Sequence, residues 1–130
     1  MYTTAIAESR TLGYHTILPV LEHGRPLPFT AMFCFDDVVA AGEMTALREK
    51  DYRIPDDVSV VGYNDSPTAL DVVQALTTVH IPDVDLGRSA VRLVLDRDQF
   101  AATNLGGRLR VATYLVIRDS VRRLTHETNG

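Results

Sequence analysis

At 130 residues, 45% hydrophobic and 23% charged, the chain has the length of one globular domain and too much apolar content to stay disordered. Its formal net charge of −4 excludes a surface built, by itself, to coat a phosphate backbone. The one cysteine, Cys34, lies in an apolar run, which excludes a disulfide framework and points to a buried thiol in a reducing compartment. No apolar stretch approaches the roughly 20 residues of a membrane span, and no basic segment leading into an apolar core marks an export signal.

Residues 9–22 carry a loosely helical pattern (Leu12, Ile17, Leu18, Leu21) that Pro19 should kink or shorten. "HGRPLP" (23–28) is a turn cluster. "FTAMFCF" (29–35) is a nearly continuous apolar run of the length of a buried parallel strand. Residues 37–50 read as a helix, with Ala40, Met44 and Leu47 on one face and Glu43 and Arg48 outward. "DVSVVGY" (57–63) is a second β-branched run, closed by the turn sequence "NDSP", and "LTTVHI" (76–81) is a third.

The clearest helix runs from about 84 to 100, with Leu86, Ala90, Leu93 and Val94 on one face and Arg88, Arg92, Asp96 and Gln99 on the other. "LRVATYLVIRDS" (109–120) reads as one or two further strands, and 121–130 as a polar, fraying tail. Strands alternating with helices over short loops predict an α/β protein: a mainly parallel sheet with flanking helices.

In open parallel sheets, ligands bind beyond the carboxyl ends of the strands. Asp36 and Asp37 stand at one such end, Asn64 and Asp65 at the next, so four polar side chains should meet at one edge. Either pair alone also fits an ordinary role: Asp at a strand-to-helix junction is a good N-cap, and Asn-Asp-Ser-Pro is a common turn. A metal site lacks a His or third acid at ligand spacing. A phosphoacceptor site needs a lysine at a late strand end, and the one lysine, Lys50, is near the end of a helix. The four histidines (15, 23, 80, 126) are scattered and no nucleophile sits on a recognisable elbow, so no catalytic residue is assigned. His80 reads as a solvated or structural residue. Arg108, Arg110, Arg118, Arg122 and Arg123 read as a solvated basic edge.

Three motifs at characteristic separations go further: "DDVVAAG" (36–42), "IPDDVSVVGYND" (54–65) and "LTTVHIPDVDLG" (76–87), with "TYLVIRDS" (113–120) after them. From about Gly13 to Ser120 the chain resembles the C-terminal part of the LacI/GalR family of bacterial transcription regulators. The resemblance implies a partial periplasmic-binding-protein-like (Rossmann-like) lobe. Residues of about 9–81 and 113–120 would belong to the second lobe of an effector domain, and about 83–111 to a first-lobe-like segment. It implies a small effector, a sugar or nucleoside, bound in a cleft between lobes. Asp36 and Asn64 match family ligand contacts, with Asp37, Asp65 and Ile81 beside them. Asp36 would serve the ligand, and Asp37 mostly the helix terminus.

The pattern also departs from the family's. Asn64 replaces a usual Asp, Asp51 stands where Gly commonly ends the helix, Ile81 occupies a common Gln position, and Ala112 replaces a usual Pro. The resemblance implies no enzyme activity, cofactor or metal, and a cytoplasmic location. Operator DNA would be held only through regions outside this chain, and the expected assembly is a homodimer, with an apolar stripe on the 84–100 helix that invites exchange of segments between copies. A periplasmic-type solute-binding domain, which shares the fold, is the alternative.

Overall fold

The computed structural model describes residues 9–95 and 110–124. In chain order the elements are α1 (Arg10–Leu21), β1 (Ala31–Phe33), α2 (Asp37–Glu49), β2 (Ser59–Asn64), a 3-10 turn (Pro67–Ala69), β3 (Thr77–His80), α3 (Asp83–Leu95) and β4 (Tyr114–Val116). The strands form one sheet in the order β1-β2-β3-β4, parallel except for the antiparallel β3–β4 pair. The expected α/β class is what the chain adopts.

α1 and α2 pack side by side and cover one face of the sheet. Their backbones touch because each contributes a glycine at the crossing. A Cβ on Gly13 would lie 2.0 Å from the Val39 carbonyl oxygen, and one on Gly42 would lie 1.9 Å from that of Arg10. α1 continues past Pro19 to Leu21, so the proline does not end the helix. Ser9 caps its start by accepting from Leu12 N. α2 ends as the sequence suggested: Asp51 takes the left-handed conformation (φ 60°) where glycine is common. Tyr52 N there donates back to Leu47 O at 2.9 Å, the longer bond of a Schellman turn.

The core beneath these helices is Ile17, Leu21, Cys34, Met44, Leu47, Tyr52, Ile54, Val58, Val60 and Leu76. Glu43, expected outward, is buried: α2 is enclosed by the sheet on one side and α1 on another, leaving few positions free. Its Oε2 accepts from the Cys34 thiol at 2.7 Å. Burial and the neighbouring Glu43 carboxyl push the thiol far up, so Cys34 stays protonated. Arg48 is half-buried and donates to Gln74.

The remaining differences concern the other sheet face. Ala31 and Phe33 of β1, Val61 and Tyr63 of β2, Val79 of β3 and Leu115 of β4 share that face by register, opposite α1 and α2. β1 is an edge strand and nothing among the described residues covers this side. Phe33 and Phe35 are therefore 64% and 57% exposed, not buried as the apolar run suggested. Of the 109–120 run only β4 is a strand. Beyond it the chain turns under the sheet, where Ser120 bonds both β2 and β3: Val60 N donates to Ser120 O, and the Ser120 hydroxyl donates to Val60 O while accepting from Thr77 N. α3 buries none of its residues, and positions 96–100 of the expected helix lie outside the described residues.

Candidate ligand-binding site at the strand ends

β1 and β2 are parallel neighbours, so Asp36 and Asn64 emerge together at their carboxyl ends. The Asn64 amide Nδ2 donates to Asp36 Oδ2 at 2.5 Å. The other Asp36 oxygen accepts from Val38 N at 2.7 Å, and Asp36 has the extended backbone (φ −155°, ψ 147°) of an N-cap residue. The cap of α2 is thus Asp36, not Asp37.

Asp37, the first residue of α2, is fully buried and does something else. Its Oδ1 accepts from the Thr78 hydroxyl at 2.6 Å and its Oδ2 from Ser66 N at 2.7 Å. It therefore ties the helix start to β3 and to the turn after β2. The space it occupies is the space Gly62 leaves: a Cβ there would come within 2.3 Å of Asp37 Oδ1. The acidic pair divides into a cap that also faces Asn64 and an internal strut.

The turn after β2 is held in an uncommon shape. Asn64 (φ 105°) and Asp65 (φ 56°) both lie in the left-handed region, the position where Asn and Asp are the non-glycine residues best tolerated. Asp65 is fixed by two partners. Arg118 Nη2 donates to its Oδ1 at 2.5 Å, and His80 Nδ1 to its Oδ2 at 2.9 Å. A carboxylate only accepts, so His80 carries its proton on Nδ1 in this contact. Burial pushes the Asp65 carboxyl up, and Arg118 and His80 outweigh it, leaving the group below the usual carboxylate range. Arg118 Nη1 also donates to Leu76 O at 2.8 Å, and His80 stacks on Tyr114 with ring centroids 4.7 Å apart.

Of the residues singled out from sequence, the structure brings Asp36, Asn64 and Asp37 together at one strand-end corner, with Asp65 next to it. Ile81 lies just past β3, half-buried, and adds no hydrogen-bonding side chain. His80, read as solvated or structural, and Arg118, read as a solvated edge, are in fact the clamp on Asp65. Thr78, Ser66 and Gly62 went unmarked, although the glycine of "VVGYND" was a signal for close backbone approach. Among the described residues no cluster of three or more metal-ligating side chains occurs. A hollow of about 330 Å³ between Arg25, Leu27, Phe29, Tyr52 and Asp57 lies at the other end of β1.

A carboxylate and an amide side by side suit a polyhydroxylated ligand: the acid accepts two hydroxyl hydrogens and the amide both donates and accepts. Residues 2–121 match the sequence profile of the periplasmic binding protein-like domain family. The chain belongs to that family. The sequence of this periplasmic-binding-protein-like domain places it with the effector-binding domains of the LacI/GalR regulators. It is 37% identical over 97 residues to the HTH-type transcriptional repressor PurR of Haemophilus influenzae strain PittEE, an alignment covering 73% of this chain and 29% of that repressor. Its fold is similar to the Lac repressor dimer bound to operator and the anti-inducer ONPF (TM-score 0.77, 29% identity, 87% of this chain and 38% of that one). It is also similar to the transcriptional regulator CelR in complex with cellobiose (TM-score 0.74, 30% identity, 86% and 33%). This chain therefore spans about a third of the length of the proteins it resembles. These relatives are transcription regulators, and no described helix is long and apolar enough to cross a membrane.

Proposed function

We propose that this domain forms one wall of an effector site in a repressor-type transcription regulator, and that Asp36 and Asn64 bind a sugar- or nucleoside-like ligand. The observation carrying this reading is the 2.5 Å contact between the Asn64 amide and the Asp36 carboxylate at adjoining parallel strand ends, beside a left-handed turn clamped by Arg118 and His80. That corner is where open parallel sheets bind ligands, and one structural relative, CelR, is in complex with a sugar, cellobiose. Asp37, Asp65 and Ile81 support the wall rather than read the ligand: the first two have their side chains taken up by internal bonds, and the third is apolar.

In this reading residues of about 9–81 and 113–120 form one lobe and 83–111 belong with a second. The regulator works as a cytoplasmic homodimer, its DNA contacts come from elsewhere, and the domain catalyses nothing. The test is thermal-shift and calorimetric titration of the 130-residue chain with sugars, nucleosides and nucleobases. One class should raise the melting temperature with a millimolar-range dissociation constant, since a single wall desolvates little of the ligand. Asp36→Asn, which keeps the N-cap, should weaken that binding about tenfold or more with little change in unliganded stability. Binding that ignores Asp36→Asn and Asn64→Ala alike, or no binding by any class, overturns the assignment.

A further inference from the structure

The loops that lead into β1 and β2 lie side by side, at the end of the sheet away from the strand-end corner. Between them is a hollow of about 330 Å³, lined by Arg25, Leu27 and Phe29 from one loop and Tyr52, Asp56 and Asp57 from the other. Its floor is apolar and fixed. Leu27 and Phe29 pack against the core, and Tyr52 belongs to that core, 5% exposed. Pro26, Pro28 and Pro55 restrict the two backbones, and Ser59 N donates to Thr30 O at 2.9 Å where the loops become strands.

The charges around this floor sort into one satisfied pair and two free ends. Arg53 takes up Asp57: its Nη2 donates to Oδ1 at 2.7 Å, and its backbone N and Nε donate to Oδ2 at 2.8 and 3.1 Å. Those bonds hold the Asp57 carboxyl well below the usual carboxylate range and leave it little to offer a ligand. Arg25 is held in place without being saturated. Its guanidinium lies 4.3 Å over the Tyr52 ring, and its Nη2 donates to Asp51 O. Its Nη1 stands 3.7 Å from Asp57 Oδ2, too far for a hydrogen bond, so among the described residues this nitrogen keeps its donors. Asp56 meets Arg53 Nη1 at 4.0 Å, and its side chain is 64% exposed.

One loop thus brings a guanidinium with free donors and the other a carboxylate with free acceptors, over an apolar floor. We infer that the hollow binds a free α-amino acid with a branched or aromatic side chain. Its carboxylate lies on Arg25, its ammonium on Asp56 and its side chain on Leu27 and Phe29. A ligand with a single charge would set that charge against the like-charged group of one loop. The volume is at the low end for small-molecule sites, which suits one such molecule rather than a length of peptide. The site is independent of the effector corner, whose residues lie at the other ends of β1 and β2.

The test is a titration of the isotope-labelled 130-residue chain with L-leucine and with L-phenylalanine, followed by its amide resonances. Shifts should be confined to residues 25–30 and 51–57 and should saturate with a millimolar-range dissociation constant, because the hollow encloses little of the ligand. Arg25→Gln and Asp56→Asn should each weaken binding about tenfold, and Asp56→Asn should leave the urea midpoint near the parent's. Phenylpropionate and phenethylamine keep the ring with one charge each, and both should bind more weakly than phenylalanine by a similar factor. Loop resonances that stay still overturn the inference. So does binding in which either one-charge analogue matches phenylalanine, or in which neither substitution has an effect: the hollow would then be an unselective apolar pocket. Shifts centred on Asp36 and Asn64 would move the amino acid to the effector corner, and overturn it too.

Discussion

Asp37 is the side chain on which three elements converge, and its removal should be felt as lost stability. Asp37→Ala leaves Ser66 N and the Thr78 hydroxyl without their acceptor in a buried place, at a cost of about 2–4 kcal/mol. Thr78→Val, which removes one of the two bonds, should cost about 1 kcal/mol, and equilibrium urea unfolding of both variants checks the ratio. The junction itself was legible in the sequence, since an apolar run ending in two acids and followed by small helical residues has few other readings. The division of labour was not. Which of two adjacent aspartates caps a helix depends on where the backbone passes from extended to helical, and a shift of one residue exchanges the roles. In the same way "VVGYND" announced a turn, but only the fold shows that the missing Cβ of Gly62 makes room for a carboxylate from another element. The clamp on Asp65 was still less visible, because Arg118 lies 53 residues away and a basic side chain near a chain's end reads as solvated.

The helix pair depends on two small residues more than on its apolar surface. Gly13→Ala and Gly42→Ala should each destabilise by about 1–3 kcal/mol despite alanine's higher helix propensity, because the added methyl meets the facing backbone. If either variant is as stable as the parent by urea unfolding, the crossing has slack that the close approach denies. Periodicity located both helices and the three longer strand runs, and it found α3 best, where the alternation of faces is clearest. It failed on exposure. An apolar run such as "FTAMFCF" records that a strand's faces are suited to burial, and Phe33 and Phe35 show that suitability and covering are separate facts. Glu43 errs the other way: on a helix enclosed on two sides, an acid at an apparently outward position becomes interior.

Over the whole molecule, a half-buried carboxyl and a buried one make stability depend on pH with opposite signs. Asp65 sits below its unfolded value, so its contribution is present above about pH 4 and is lost as pH falls through the folded pKa. Burial pushes Glu43 up, against a smaller opposing effect of the Cys34 thiol. Its contribution is therefore complete below about pH 4 and is lost as pH rises through the folded value. Glu43→Gln should consequently gain on the parent protein between pH 4.5 and 7.5, seen as a widening gap in urea midpoint; a gap constant with pH would refute the assignment. The Ser120 stitch has a consequence of another kind. β2 and β3 are parallel neighbours, yet their beginnings are held through a residue 60 positions beyond Val60. Contacts of that separation form late. On the ribosome, then, a nascent chain that has already emitted both strands still has an open seam between them. That end of the seam closes only when residue 120 emerges, well after β3 is complete, so in the interval the starts of the two strands are open to holding chaperones.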